Sequence, residues 1–362
     1  MKDWKYVIAY LLPLSAVWGI YQGGWASFGS LYLAFILIPI LESILPQHTD
    51  NHKESEEESR NENRIFDFLL YSHVPLLYLI VGYGLYTFHT QPLSTIEMVG
   101  MICNIGIVVG SFGINIGHEL GHRNNVFEQN LSKLLLLPAL YQHFFVEHNR
   151  GHHKNVATDL DPASSRLGEN VYAFWFRSVK DSYLDAWQLE RERLTREGKP
   201  VVSWANDMVR FHAYQAGYLI AIGFVFSPPS VLMAIAFGVF GFLLLETVNY
   251  IEHYGLRRKQ NENGRFEPVM PHHSWNSDHE LGRIFLFELT RHSDHHFKAT
   301  RKYQVLRHFD QSPQLPLGYP LSMLTSLVPP LWFGLMDKRV PRDNEVGNNE
   351  VGNKQLQIVD IQ

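Results

Sequence analysis

Residues 213–245 read AYQAGYLIAIGFVFSPPSVLMAIAFGVFGFLLL and contain no Asp, Glu, Lys or Arg. A helix rises about 1.5 Å per residue and the hydrocarbon core of a bilayer is about 30 Å thick, so the run is too long for one crossing and suits two. Ser227, Pro228 and Pro229 interrupt it, which predicts a helical hairpin. Residues 6–41 form a second uncharged run of double length, interrupted at Gly23 and Gly24. Residues 68–88 and 98–117 are single-length runs joined by His89, Thr90, Gln91, Pro92 and Leu93. The reading is an all-α protein: a six-helix integral membrane bundle carrying a helical cytoplasmic cap. A cleavable signal peptide is not expected, because the first apolar run is longer than a signal segment and continues into the second helix.

Charge placement gives the orientation. All 31 Lys and Arg fall in the N-terminus, the 46–66 loop, the segment 118–211 and the segment after 251, and none falls in the three hairpin turns. The positive-inside rule then places both termini and both large polar segments in the cytoplasm, which for a bacterial chain means the inner membrane. The expected organisation is membrane helices 1–4 over 1–117, with a charged loop at 46–66. A cap over 118–211 follows, then membrane helices 5 and 6 over 212–251 and a second cap segment over 252–340. The tail 341–362, which repeats EVGN, is expected to be disordered. Leu134–Phe145 is apolar but only twelve residues long, so it reads as an interfacial or re-entrant helix. Residues 171–197 have the spacing of an amphipathic helix, and the acidic stretch Glu54–Arg64 reads as a solvated charge run.

Composition excludes whole classes of function. The chain has 362 residues and a single cysteine, Cys103, so neither a disulfide framework nor a cysteine-ligated cofactor can form within it. Electrons, if the chemistry needs them, come from another protein. A net charge of -5 with mixed signs argues against nucleic-acid binding.

Four clusters carry the chemistry: HELGH (118–122), EHNRGHH (147–153), NYIEHYG (249–255) and RHSDHH (291–296). In a helix, His118 and His122 stand one turn apart on one face, the spacing two imidazoles need to reach one metal ion. His148 and His152 repeat that spacing, while His153 is rotated by about 100° and faces a different neighbour. His292, His295 and His296 share a face. With His253 the candidates number nine, more than one four-coordinate zinc accepts, so two metals are expected. Imidazole suits Zn, Cu, Fe and Ni, whereas calcium and magnesium prefer oxygen. Glu119, Glu252 and Asp294 adjoin or interrupt the clusters and are candidates for orienting the rings, Asn249 for holding a metal-bound water, and His273 of PHHSWNSDH for a supporting or reserve ligand.

HELGH in a membrane protein also suits an intramembrane zinc protease, but a protease of that kind needs one zinc and gives no reason for HxxxHH or HxxHH. A metal transporter would hold its ligands near the bilayer midplane, and these lie at one membrane surface. The remaining histidines, such as His48, His73 and His143, read as interfacial or locally hydrogen-bonded.

The ordered set HELGH, EHNRGHH, NYIEHYG, HHSWNS and LTRHSDHH, with ATDLDPASSRLGE after the second cluster, resembles the membrane-bound alkane 1-monooxygenases. The resemblance runs from about Lys5 to Met336 and lies within a wider histidine-box group that includes fatty-acid desaturases and xylene monooxygenase. It implies that His118, His122, His148, His152, His153, His253, His292, His295 and His296 bind two non-haem irons, with O2 as co-substrate. It also implies that a rubredoxin, reduced by an NADH-dependent rubredoxin reductase, supplies electrons, and that an n-alkane is taken from the membrane lipid and hydroxylated at its terminal methyl. A related desaturase or hydroxylase acting on acyl chains would share the iron site. Small residues that could open a channel for the chain are Gly29, Ala34, Gly82, Gly110 and Gly113.

Overall fold

The computed structural model describes residues 2–341, so the expectation for the tail from 342 onward falls outside the described residues. Helices dominate, and the extended pairings among the described residues are three isolated bridges, such as Gln47 with His279. The all-α reading is borne out.

Each predicted hairpin forms. Leu11–Gln22 reverses into Gly24–Glu42 through Gly23 and Gly24, whose φ values of +67° and +53° are easy only without a Cβ. Arg64–Thr90 connects to Thr95–Gly121, and the second arm starts in a capping box: the Glu97 N–H donates to the Ser94 hydroxyl while the Ser94 N–H donates to the Glu97 carboxylate. Asp207–Val225 connects to Pro228–His253, with both prolines in the first turn, where a missing N–H leaves no helical bond unmade.

Four of these six arms are long and apolar enough to cross a membrane: Gly24–Glu42, Arg64–Thr90, Thr95–Gly121 and Pro228–His253. The other two are helical but fall short of that measure. Leu11–Gln22 has 12 residues and follows a 3-10 stretch, Lys2–Tyr10, while Asp207–Val225 carries Asp207 and Arg210 in its first turn. The three turns share one end of the bundle, since the Gly24 N–H donates to Glu97 Oε1 at 2.9 Å and the His89 and Phe226 rings stand 6.4 Å apart. His118 and His253 lie at the opposite ends of their arms. Outward-facing Leu79, Phe224 and Leu232 are exposed, a surface made for lipid.

Helix Val171–Arg196 forms as predicted and is anchored by Glu190, which accepts from Arg150 at 2.6 Å and from Arg193 at 2.7 Å. Two segments depart from expectation. Leu134–Phe145 is not one helix: Val126–Leu136 ends inside it, the chain turns with Leu140 at φ +54°, and a new helix starts at Phe144. The acidic stretch is not merely solvated. Its helix Glu54–Glu62 is pinned by Arg60 to Asp3 at 2.5 Å and by Glu57 to Arg301 at 3.0 Å, pairings too distant in sequence for local pattern to reveal.

Candidate metal centre

The histidines arrive on helix ends. Thr95–Gly121 contains a π-helical stretch, Val109–Ile114, immediately before the turn that carries His118, so the last turn of this arm is re-aimed relative to the rest. A second π stretch covers His148–His152. Its effect on the cluster is direct: i→i+5 bonding brings i and i+5 onto one side, so His148 lies beside His153, with 3.0 Å between their Nε2 atoms. His148 and His152, which the spacing placed together, therefore fall into different groups. His292–Phe297 is a single short helix in which His292 and His296 approach to 2.9 Å, and His295 turns to the other group, not to the face the spacing suggested.

Nine imidazoles thus fall into two adjoining groups. His118, His122, His148, His153 and His295 converge in the first, and His152, His253, His292 and His296 in the second, each with ligand atoms within 4.8 Å of one another. The groups abut, with the His153 and His296 ring centroids 4.4 Å apart. Within them Nε2 faces Nε2: His118 to His295 at 2.8 Å, His122 to His148 at 3.0 Å, His152 to His296 and His253 to His292 at 3.2 Å. Burial, followed by the neighbouring rings, pulls His122 down to about 3 and holds His148, His153, His292, His295 and His296 well below the ordinary imidazole value. A neutral imidazole has one N–H, so a ring such as His148, flanked by His122 and His153, cannot satisfy both contacts as donor. Cations placed between the lone pairs remove the conflict, and the all-imidazole donor set fits iron, zinc or copper.

One carboxylate orients a ring directly. Asp161 Oδ2 lies 2.9 Å from His152 Nδ1 and also accepts from the Ser164 hydroxyl at 2.5 Å. Sequence reasoning assigned Asp161 no role, although it sits within ATDLDPASSRLGE. Glu252 accepts from the Tyr319 hydroxyl at 2.9 Å and brings its other oxygen to 3.2 Å from His292 Nε2. Two other candidates do not reach a ring. Glu119 Oε1 accepts from Arg123 and from the Tyr303 N–H, and Asp294 is held by Arg307, so both fix the protein around the site. His273 stands apart from the nine, beside Glu267 and His272.

A narrow cleft of about 100 Å³ leads to the rings. His118, His148, His292, Asn249 and Glu252 form its polar end, and Ala34, Phe35, Ile107, Leu244 and Val248 line its apolar length. Of the small residues expected to open a channel, Ala34 and Gly110 border this cleft. Gly29 instead lies against the Ser15 carbonyl and Gly113 against the Leu135 carbonyl, where a Cβ would force helices apart, while Gly82 faces open space.

Membrane-crossing helices that present clustered histidines at one end define a class, and residues 96–321, which include all nine rings, match the fatty acid desaturase family. Within that class the chain belongs to the alkane 1-monooxygenase family. It is 41% identical over 343 residues to alkane 1-monooxygenase 2 of Pseudomonas aeruginosa, covering 93% of this chain and 91% of that one. It is 38% identical to alkane 1-monooxygenase 1 of Alcanivorax borkumensis, covering 94% and 85%. Similarity extends at 26% identity to the xylene/toluene monooxygenase hydroxylase component of Pseudomonas putida, over 92% and 88%. The resemblance read from the motifs is borne out over most of the chain.

Proposed function

We propose that this protein hydroxylates the terminal methyl of n-alkanes, converting R–CH3, O2, two electrons and two protons into R–CH2OH and water. The observation that carries the reading is the junction of the two imidazole groups with a cleft whose walls are almost wholly apolar. An alkane offers nothing to hydrogen-bond, so position along such a cleft is set by shape, and a chain end pressed toward the rings is the part exposed to attack. Ala34, Phe35 and Leu244 hold the chain and exclude water, and Asn249 and Glu252 border the space where that end would rest. Glu252, with one oxygen fixed by Tyr319, is placed to hold or pass a proton at the other.

The nine histidines are the ligands in this reading, five to one iron and four to the other, with Asp161 supporting His152 of the second group through its outer nitrogen. Two irons held there would supply the electron transfer to O2 and the oxygen activation that an unactivated C–H bond requires. Rubredoxin, itself reduced by an NADH-dependent reductase, is the proposed donor, in keeping with a chain whose one cysteine leaves it no iron–sulfur site. The proposed topology has six passes in the bacterial inner membrane, with the caps at 118–211 and 252–340 and both termini in the cytoplasm. It is supported by the three uncharged turns at one end of the bundle and the histidines at the other.

Purified protein supplied with rubredoxin and reductase should convert octane or hexadecane to the 1-alkanol, read by gas chromatography, and contain about two irons per chain. An unsaturated acyl product with no alkanol would move the assignment to the desaturase branch, whose name the matching family model carries. One zinc and no iron would sink the oxygenase reading altogether.

A further inference from the structure

Two carboxylates lie within the membrane-crossing helix Pro228–His253, and one of them, Glu252, borders the rings. The other, Glu246, is 1% exposed. Shutting a carboxylate into an apolar span is costly, and in membrane helices such groups mark routes for ions and protons. Its contacts run in two directions. Oε1 accepts the Tyr141 hydroxyl at 2.8 Å. Oε2 has no hydrogen-bond partner among the described residues, and the Asn249 side chain stands beside the carboxylate, one turn further along the same helix face.

The two ends of this contact chain open on different cavities. Tyr141 lines a cavity of about 340 Å³ between the loop at 140–143 and helices Val171–Arg196 and Asp207–Val225. Its mouth faces water: Lys180, with 69% of its side chain exposed, borders it. At its rim the Tyr183 hydroxyl donates to His212 Nε2 at 3.0 Å, because His212 Nδ1 gives its proton to the Met208 carbonyl at 2.6 Å. Asn249 lines the other cavity, the cleft that ends at His118, His148 and His292. Glu246 joins the two. A glutamine at 246 would keep the Tyr141 hydrogen bond and fill the same space, so packing alone gives no reason for the acid.

We propose that Tyr141 and Glu246 form a relay that carries protons from water in the outer cavity to the polar end of the cleft. The relay rests on the proposed hydroxylation, in which each turnover consumes two protons between almost wholly apolar walls. A proton from water adds to the Tyr141 oxygen as the phenolic proton passes to Glu246 Oε1, so the phenol is unchanged and the carboxylate becomes the acid. A half-turn of the carboxyl about its Cγ–Cδ bond brings that proton to the Asn249 side, where it is released toward the oxygen atom that leaves as water. Glu246 is then a carboxylate again, and a second passage supplies the second proton.

The test uses iron-loaded Glu246→Gln, Glu246→Asp and Tyr141→Phe. With rubredoxin and reductase, Glu246→Gln should lower kcat for octane at least about 100-fold, the smaller end of what a positioned acid contributes, with KM and iron content unchanged. Tyr141→Phe should also slow, and Glu246→Asp should recover part of the rate. The solvent deuterium isotope effect on kcat should rise in each slowed variant, which a loss of packing would not cause. A second readout needs no alkane: the infrared difference between dithionite-reduced and air-oxidised protein should contain a D2O-sensitive carboxylic acid C=O band that Glu246→Gln lacks. Parent protein that makes alkanol beside a Glu246→Gln variant of equal kcat overturns the relay and leaves the hydroxylation standing, and a loss of rate that tracks a loss of iron also counts against the relay. Parent protein that makes no alkanol removes the hydroxylation; a Glu246 band on reduction then still supports proton uptake through this residue, and its absence overturns the relay as well.

Discussion

His152 Nδ1 lies 2.9 Å from Asp161 Oδ2, and that single contact decides which nitrogen of His152 turns toward His296. With the proton on Nδ1, Nε2 is a bare lone pair aimed into the four-ring group. Asp161→Asn can offer its amide N–H to Nδ1 and so drive the proton to Nε2, the wrong tautomer for a ligand. Iron affinity or turnover should fall about 10- to 100-fold with the fold intact. Iron content by elemental analysis, alongside circular dichroism, checks this. Full iron and full activity would remove Asp161 from the account.

His122 and His295 both belong to the five-ring group, yet they come from elements far apart in sequence. His122→Ala or His295→Ala should lower alkane turnover by at least about 100-fold, because each removes a direct donor where loss of a mere supporting contact already costs 10- to 100-fold. Membrane insertion and helix content should persist, since the bundle is held by apolar packing elsewhere. Retained turnover in either variant would count against the ligand set.

The segment leading to the last histidine cluster is fastened through Glu288. It accepts from Lys5 at 3.0 Å, from Tyr6 at 2.7 Å and from Arg283 at 2.6 Å. Burial alone would push its carboxyl up, but Arg283, Lys5 and Arg291 outweigh burial and hold it well below the usual carboxylate range. A folded-state value below the unfolded one stabilises the protein above about pH 4.3, and that stabilisation is lost as the pH falls from there toward the folded value. Glu288→Gln should therefore cost about 3–5 kcal/mol at neutral pH by leaving Arg283 buried without its partner. It should also flatten the acid limb of the melting temperature plotted against pH. A variant that melts and titrates like the parent would contradict this.

Ala34 borders the apolar cleft together with Leu244. Ala34→Trp adds bulk partway along the space available to a chain, so long substrates should suffer more than short ones. The kcat/KM ratio of octane to hexadecane should rise at least about tenfold, on the scale that a few methylenes are worth in an apolar pocket. Product yields from a series of n-alkanes measure it, and an unchanged length profile would place the substrate elsewhere.

The sequence by itself determined the class of the fold and the identity of the rings. Uncharged runs of single and double length fix hairpins because an unpaired backbone has no place in hydrocarbon; Gly23–Gly24 mark one reversal because glycine reaches the positive φ a tight turn needs, and Pro228–Pro229 another because proline can begin a helix but not continue one. Histidines gathered into four short clusters announce a metal centre before any contact is known. Which rings stand together was decided only by the tertiary structure. Spacing paired His148 with His152, but the π stretch at 148–152 pairs His148 with His153 and sends His152 to the other group. Asp161, Arg60 with Asp3, and Glu57 with Arg301 were hidden for a related reason. Helical periodicity reports which way a side chain points only while the helix is regular, and a contact across the fold leaves no periodic trace in either partner.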